Sequence, residues 1–149
     1  MMRIGAFLNE SPMFAVSRAA RRFESLAGRA LAEDDLSFLE GLTLAALFFE
    51  APKMVKPSQL AETFGTTRGN VSHCLSSLEG KGLLQRKIDP EDARAFLLAL
   101  KPQGKRAALR VIAALDRLQK EFEGEIGKTA LGEMLRAIRK LEGIACSGL

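Results

Sequence analysis

Residues 67–81 combine short polar side chains with an apolar stripe at helical spacing. The apolar positions recur every three or four residues and predict one buried side of an α-helix, formed by Val71, Cys74, Leu75 and Leu78. The opposite side carries small hydrogen-bonding groups, which a DNA major groove admits and which can read base edges. The first residues of such a helix also favour a phosphate, through free N–H groups and the helix dipole. An ordinary solvated face is the alternative. The candidate DNA-binding residues here are Thr67, Arg68, Asn70, Ser72, His73 and Ser76.

A second set of basic residues lies in a predicted β-hairpin, the wing. Arg86 and Lys87 stand at its base, and Arg94 stands across its turn. An Arg at a hairpin tip can enter a narrow minor groove, where the negative potential of DNA is concentrated. Asp92 is close enough in sequence to hydrogen-bond to Arg94 and orient it. The alternative is a solvated turn with a local ion pair, which contributes little. We predict DNA contacts from Arg86, Lys87 and Arg94.

The charge distribution favours the same segment. The chain of 149 residues has a net charge of +4, and residues 51–106 hold ten Lys and Arg against five Asp and Glu. The whole positive surplus therefore lies on the candidate reader, as expected for a surface that faces phosphates. Solubility alone is the competing explanation. The absence of Tyr and Trp argues against single-strand readers, which usually stack bases on aromatic side chains.

Other chemistries have little support in the sequence. His73 is the only histidine, and Cys74 and Cys146 are the only cysteines, so neither a metal site nor a disulfide framework is predicted. Cys74 is expected to be a small core residue, with a redox sensor as the alternative, and Cys146 an exposed, inert thiol, with a reactive thiol as the alternative. No nucleophile–His–carboxylate set and no phosphate-binding loop is present, so we predict neither an enzyme nor a cofactor. No apolar run is long enough to span a membrane and no signal peptide is evident, so we predict a cytoplasmic protein.

The elements that position these residues follow from local signals. Residues 1–10 are expected to be loosely structured. Ser11-Pro12 is a helix start, Ser37 with Glu40 is a capping box, and Thr67 is an N-cap. Gly65 and Gly82 are helix stops. Helices are predicted over 12–32, 37–50, 57–64, 67–81, 103–124 and 128–146, with Gly127 as a break, and strands over 83–88 and 95–100. The helix over 37–50 is apolar nearly all round and is expected to be buried.

The outer helices carry apolar seams that have no partner within the reader. Residues spaced by three and four predict a packing face for another helix, namely Ala108, Val111, Leu115, Leu118 and Phe122. We therefore predict a mainly α fold with a small β-wing: a winged helix-turn-helix flanked by N- and C-terminal dimerisation helices. The expected organisation is a dimerisation helix over 1–35, a DNA-binding domain over 36–101 and dimerisation helices over 102–149.

The sequence resembles the MarR-type regulators over about residues 11–146. The resemblance rests on Leu36-Ser37 with Glu40, Leu44 and Leu47, on Gln59-Leu60-Ala61 with Gly65, and on residues 78–86 and 89–94, the last two being similar to the recognition-helix exit and the wing signature. It implies a homodimer of winged helices that binds a pseudo-palindromic operator, with Ser72 and His73 at base-contacting positions and Arg94 at the wing tip. Many members are repressors released by a small, often aromatic ligand that binds between the dimerisation and DNA-binding regions. A pocket is expected among the helices over 12–32, 37–50 and 103–124.

The sequence departs from that family pattern at three places. His73 stands where many members have Arg, so base preference or affinity is expected to differ. Lys101-Pro102 replaces the usual Thr-led cap, which affects stability more than function. The predicted first helix has no Cys, so peroxide sensing through an N-terminal thiol is not expected.

The function predicted from the sequence is a sequence-specific regulator of transcription that binds double-stranded DNA. It is expected to be a homodimeric repressor, with a small-molecule effector and without membrane partners. The alternative is a winged-helix module that binds another protein. Exposed aromatic residues and Met would favour that alternative, whereas the basic surplus and the small polar helix face favour DNA.

Overall fold

The computed structural model describes residues 2–148, and helices on both sides of one β-hairpin make up the chain. The elements are α1 (Ile4–Asn9), α2 (Pro12–Ala30), a 3-10 turn (Ala32–Asp34), α3 (Phe38–Glu50), α4 (Pro57–Phe64), α5 (Arg68–Gly80), β1 (Leu84–Asp89), β2 (Asp92–Leu100) and α6 (Pro102–Ser147). The predicted fold class, mainly helical with a two-stranded wing, is confirmed. No helix within residues 2–148 is long and apolar enough to cross a membrane.

The prediction of a loosely structured start was wrong, because residues Ile4–Asn9 form α1. Six residues are too few to show a helical repeat, so the pattern could not reveal this helix. The chain passes directly from α1 into α2, since the N–H groups of Glu10 and Ser11 donate to the carbonyls of Phe7 and Leu8 at 3.3 and 3.2 Å.

The helix caps follow the sequence signals. The Ser11 hydroxyl accepts from the N–H of Phe14 at 3.2 Å, and Pro12 begins α2. At α3, the Ser37 hydroxyl accepts from the N–H of Glu40 while the Glu40 carboxylate accepts from the N–H of Ser37. Both predicted caps are confirmed, because they depend on residues only three positions apart.

The helix-turn-helix consists of α4 and α5. Gly65 ends α4 with φ 61°, and Gly82 follows α5 with φ 74°. A positive φ is unfavourable for side chains with a Cβ, so glycine suits both turns. We call α5 the recognition helix, because it is the second helix of this motif.

The hairpin of β1 and β2, the wing, is longer than predicted. The strands are antiparallel, with Leu84 opposite Leu100 and Ile88 opposite Phe96, and a register shift brings Asp89 opposite Asp92. Only Pro90 and Glu91 remain between the strands. The turn left between the predicted strands, residues 89–94, was therefore too long. Asp89 belongs to β1, and residues 92–94 belong to β2. Val55 adds a short bridge to β2, where the Leu98 N–H donates to the Val55 carbonyl at 2.8 Å.

Helix α3 lies at the centre of the part of the chain that ends at Ile112, which is one of two compact units. The largest fully buried aliphatic side chains come from α3, the recognition helix, the wing and the start of α6: Leu44, Leu75, Leu78, Leu84, Leu98 and Val111. The expectation that α3 is buried nearly all round fails at its end, since Phe49 is 68% exposed.

The second compact unit begins at Ala113 and contains the rest of α6. The predicted break is confirmed at Gly127, whose backbone is non-helical with φ 83° and ψ 158°. Several large apolar residues of this unit are exposed by 39–50%: Ile126, Met134, Leu135, Leu141 and Ile144.

Candidate nucleic-acid interface

The recognition helix has one buried and one exposed side, as its spacing predicts. Val71, Cys74, Leu75 and Leu78 are each at most 5% exposed. These four residues pack the helix onto the core. The predicted contact residues of the helix are all exposed: Arg68, Asn70, Ser72, His73 and Ser76.

The start of the recognition helix is held by its own polar side chains. The Thr67 hydroxyl accepts from the N–H of Asn70 at 3.0 Å, and the Asn70 amide donates to the Thr66 hydroxyl at 3.0 Å. Thr67 thus serves as the predicted N-cap. The first N–H groups of a helix have no partner within it, so this end can receive an anion beside the exposed Arg68.

A depression of about 470 Å³ lies between the recognition helix and the wing. Arg68 and Ser72 line it from the helix, Arg86 and Arg94 line it from the wing, and Lys56 lines it from the chain before α4. We call these five residues the basic groove. No acidic side chain lines the depression. Two of its four cations lie near carboxylates outside the lining, Lys56 at 3.6 Å from Asp89 and Arg86 at 3.9 Å from Glu79, so Arg68 and Arg94 contribute most of its free positive charge.

The structure thus brings four of the predicted residues together: Arg68, Ser72, Arg86 and Arg94. It adds Lys56, which was not among the sequence candidates. Lys56 stands directly before Pro57 at the start of the motif, and this position was the only local signal that could have suggested it. His73 and Ser76 lie on the exposed side of the recognition helix outside the lining of this groove.

Arg86 and Lys87 point to opposite faces of the wing, because consecutive residues of a strand alternate. Lys87 is exposed. Arg86 turns back to the recognition helix, where its Nη2 donates to the Ser76 hydroxyl at 2.9 Å. Its Nε lies 3.9 Å from a carboxylate oxygen of Glu79. The two predicted contacts at the base of the wing therefore have different surroundings.

The turn of the wing is ordered by two aspartates. The Asp92 carboxylate accepts from the backbone N–H of Arg94 at 3.0 Å. Asp92 therefore fixes the backbone at Arg94. Arg94 itself is exposed. Asp89, only 6% exposed, accepts from the N–H of Glu91 at 2.9 Å and lies 3.6 Å from the Lys56 ammonium.

A buried carboxylate from α3 supports the other end of the recognition helix. Glu40 accepts from the Ser77 hydroxyl at 2.9 Å and from the Lys81 ammonium at 3.1 Å, besides the N–H of Ser37. Burial raises the pKa of the Glu40 carboxyl, but the three hydrogen bonds and the charge of Lys81 outweigh it and hold the pKa below its ordinary value. Glu40 is therefore ionised at neutral pH.

Cys74 is the core residue that its spacing predicted. It is 5% exposed, and its Sγ lies 3.5 Å from the Thr43 hydroxyl. Burial raises the pKa of this thiol. Cys146 is exposed. In the part of the chain that the structure describes, no group of three or more His, Cys, Asp or Glu side chains is arranged to hold a metal ion.

Comparison with known proteins identifies the same segment. The model of the MarR family matches residues 50–96, from the end of α3 into β2. YdcH of Bacillus subtilis (strain 168), described as an uncharacterized HTH-type transcriptional regulator, is 28% identical over 116 residues, or 76% of this chain and 79% of YdcH.

Two solved structures have the same fold. The transcriptional repressor CouR, bound to a 23-mer DNA duplex, matches with a TM-score of 0.82 at 24% identity, covering 95% of this chain and 99% of CouR. The transcriptional regulator PcaV from Streptomyces coelicolor, in complex with its natural ligand, matches with a TM-score of 0.81 at 22% identity, covering 93% of this chain and 96% of PcaV.

Proposed function

We propose that this chain, which matches the MarR family of winged helix-turn-helix transcriptional regulators, is a homodimeric repressor released from its operator by a small molecule. This family consists of DNA-binding regulators rather than enzymes. The observation that carries the proposal is the basic groove, because it joins the polar start of the recognition helix to the wing with four cations and no acid. A surface of this kind suits the phosphates on either side of a DNA groove.

The recognition helix enters a major groove of the operator. Ser72 and His73, on its exposed side, contact base edges, and Ser76 lies further along the same side. Thr67, Arg68 and Asn70 meet the backbone at the helix start, where N–H groups favour phosphate. Short side chains such as Ser72 suit this role because they leave room for the backbone to approach the bases.

The wing reaches the neighbouring part of the duplex. Arg94 enters the minor groove, Lys87 contacts the backbone from the outer face of β1, and Arg86 lies at the base of the wing. The fixed backbone around Arg94, with its hydrogen bond from N–H to Asp92, supports this role because a preorganised donor loses less entropy on binding.

Dimerisation is assigned to the outer helices, residues 1–35 and 102–149, with residues 36–101 as the DNA-binding domain. The predicted seam is not free along its whole length, because Ala108 and Val111 are 0% exposed and pack within the first unit. The exposed apolar residues at the start of the chain support this assignment, among them Ile4, Phe7 and Met13. The exposed stripe after Ala113, with Leu135 and Leu141, supports it independently. Two reading heads related by a two-fold axis fit a pseudo-palindromic operator.

A small-molecule effector has a candidate site beside the recognition helix. A depression of about 750 Å³ is lined by α2 and α3 and by the turn before the recognition helix, with Arg21, Phe38, Phe64 and Asn70 among its residues. A ligand there contacts α2 and the start of the recognition helix. Such a ligand releases DNA only if it binds the DNA-free conformation more tightly than the DNA-bound one. As a DNA-binding regulator, the protein is proposed to act in the cytoplasm.

The proposal is tested by fluorescence anisotropy with labelled duplexes from around its own gene, titrated at several salt concentrations. Log affinity is expected to fall linearly with log salt, with a slope of about −0.9 for each phosphate neutralised. Ser72→Ala and His73→Ala are expected to change sequence preference, with costs of about 1–3 kcal/mol for each base contact. Absence of binding to every such duplex at low salt contradicts the proposal and favours the protein-binding alternative.

A further inference from the structure

We propose that Arg86 is a positioning residue, which holds the wing against the recognition helix and makes no contact with a DNA phosphate. This inference rests on the proposed DNA-binding function and revises the role that the sequence suggested for Arg86. Held in this way, the wing side of the basic groove keeps a fixed position relative to the side formed by the recognition helix.

The contacts of Arg86 all lead back to one face of the recognition helix. Its backbone N–H donates to the Glu79 carboxylate at 3.3 Å, its Nη2 donates to the Ser76 hydroxyl at 2.9 Å, and its Nε lies 3.9 Å from Glu79 Oε1. Ser76 and Glu79 are three residues apart and therefore lie side by side on the helix. Main chain and side chain of β1 are thus both fastened to the same turn.

Burial limits what else the Arg86 guanidinium can do. The side chain is 24% exposed, whereas Arg68 and Arg94 are exposed residues. Its Nε is buried and has no hydrogen-bond partner among the described residues. Such a group is costly to bury, and the carboxylate of Glu79 lies 3.9 Å from it. Turning the guanidinium outward to a phosphate breaks the bond to Ser76 and separates the charge from Glu79.

Glu79 makes the pairing important for DNA binding as well. Its side chain is 46% exposed, so an unneutralised carboxylate here repels the phosphates that approach the recognition helix. Arg86 offsets this charge from within the protein. Arg68 and Arg94 remain available for DNA.

We call the contacts of Arg86 with Ser76 and Glu79 the clamp. The clamp acts together with a second attachment of the wing. At the far end of β1, Asp89 lies 3.6 Å from Lys56, which precedes the helix-turn-helix. With β1 held at Arg86 and at Asp89, the distance from the recognition helix to Arg94 is set before DNA arrives. Sites held by such supporting contacts keep their geometry, and loosening the support costs affinity without removing a contact to the ligand.

The salt dependence of DNA binding separates a clamp from a phosphate contact. Arg86→Met in the full-length protein is expected to lower operator affinity by about tenfold, the scale of a charge-assisted hydrogen bond, while the slope of log affinity against log salt stays unchanged. Arg94→Met is the reference for a DNA contact, and it is expected to reduce the slope by about 0.9. Lys87→Met removes the neighbouring charge from the opposite face of the strand, where it is proposed to contact the DNA backbone, and as the matched comparison it is expected to reduce the slope by about 0.9. A slope reduced by about 0.9 in Arg86→Met, or an unchanged affinity, overturns the proposal.

Two further variants test geometry against charge. Arg86→Lys keeps the charge but loses the forked donors, so it is expected to restore little of the affinity. Glu79→Gln removes a negative charge near DNA, yet it is expected to weaken binding because the clamp opens. Full rescue by Lys means that Arg86 acts on DNA by its charge. Tighter binding by Glu79→Gln means that Glu79 affects DNA by repulsion and not by holding Arg86, and either result overturns the proposal.

A footprint distinguishes misplacement of the wing from a general loss of folded protein. In hydroxyl-radical footprinting at saturating protein, Arg86→Met is expected to lose the protection due to the wing and to keep that due to the recognition helix. Uniform loss of both, or retention of both, contradicts a positioning role.

The clamp is also measurable without DNA, so its failure is distinguishable from failure of the proposed function. Urea unfolding of wild type, Arg86→Met, Glu79→Gln and the double variant is expected to give non-additive changes, since the two residues are in contact. Additive changes overturn the clamp even if wild type binds its operator. If wild type binds no DNA, the proposed function fails and this cycle still decides whether the clamp exists.

Discussion

Two residues of α3, Thr43 and Glu40, contact the recognition helix and its C-terminal end through polar groups. Thr43, 2% exposed, donates to the Leu39 carbonyl at 2.8 Å and contacts Cys74. Glu40 joins Ser37 at the start of its own helix to Ser77 and Lys81 at the end of the recognition helix. The polar groups of this region have partners within the protein, as burial requires. The contact of Thr43 with Cys74 bears on the reactivity of the Cys74 thiol, and the contacts of Glu40 bear on the stability of the protein in acid.

Cys74 is expected to resist alkylation in the folded protein. Burial raises the pKa of its thiol, and the thiolate is the reactive form. In the Cys146→Ser variant, mass spectrometry after iodoacetamide treatment is expected to find Cys74 unmodified under native conditions and modified in denaturant. Rapid native labelling of Cys74 would show that the recognition helix detaches from α3 readily.

Glu40 is expected to make folding stability sensitive to acid. The folded protein holds the pKa of Glu40 below its ordinary value, so this contribution is present above the ordinary pKa of about 4.3 and is lost as the pH falls through the lowered value. Glu40→Gln is expected to destabilise the protein at pH 7 by about 1–2 kcal/mol, with a smaller difference in acid.

The measurement is urea unfolding between pH 7 and pH 3. Glu62→Gln, at an exposed position of α4, is the control and is expected to change stability by less than about 0.5 kcal/mol at pH 7. Equal pH profiles for wild type and Glu40→Gln would contradict the role of Glu40.

At the scale of elements, α6 starts directly against the chain that enters the wing. The Leu83 carbonyl accepts from the N–H of Lys101 at 3.0 Å. A Cβ added at Gly104 would lie 1.8 Å from that carbonyl oxygen. This close approach fixes where α6 leaves the winged helix, and it permits no side chain at position 104.

Gly104→Ala is therefore expected to destabilise the protein by about 3 kcal/mol, as overpacking against a backbone atom does. Gly124 lies in the same helix, and a Cβ there meets nothing within 4 Å. Gly124→Ala is the matched control and is expected to stabilise by about 0.5–1 kcal/mol. Thermal and urea unfolding report both changes, and a neutral Gly104→Ala would contradict this packing.

The elements predicted correctly from the sequence are those with local signals. The caps at Ser11, Ser37 and Thr67 and the stop at Gly82 depend on residues within a few positions of each other. Helix α1 is too short for a repeat to be visible. The wing turn was predicted too long because the sequence does not show which of its turn-forming residues continue the strands. The exposed side of the recognition helix was predictable because burial repeats with the helical period.

The contacts that organise the candidate interface were not predictable in the same way. Glu40 meets Ser77 and Lys81 across 37 and 41 residues, and Lys56 meets Asp89 across the helix-turn-helix. Arg86 was predicted as a DNA contact from its charge alone, because its partners Ser76 and Glu79 lie on another element. Local spacing carries no information about such pairings.

The proposed dimer depends on apolar residues that a single copy leaves exposed. Leu141 is 45% exposed and Ile144 is 46% exposed. Apolar surface of this kind on an amphipathic helix favours association with another helix.

Leu141→Glu is expected to shift the protein from dimer to monomer in analytical ultracentrifugation, because it places a charge in the proposed apolar interface. Operator affinity is expected to fall with it, since one reading head covers only half of the site. Glu142→Gln, at the neighbouring position, is the control and is expected to leave both properties unchanged. A monomeric wild type would refute the dimer.

Two copies of the recognition helix and wing are proposed to read double-stranded DNA together. This is measured by selection of bound duplexes from a random library, followed by sequencing. An enriched inverted repeat is expected, with half-site centres about one helical turn, roughly 10 base pairs, or a multiple of it apart. Ser72→Ala and His73→Ala are expected to relax preference at symmetric positions. No enriched sequence, or a single half-site without its inverted copy, would contradict paired reading.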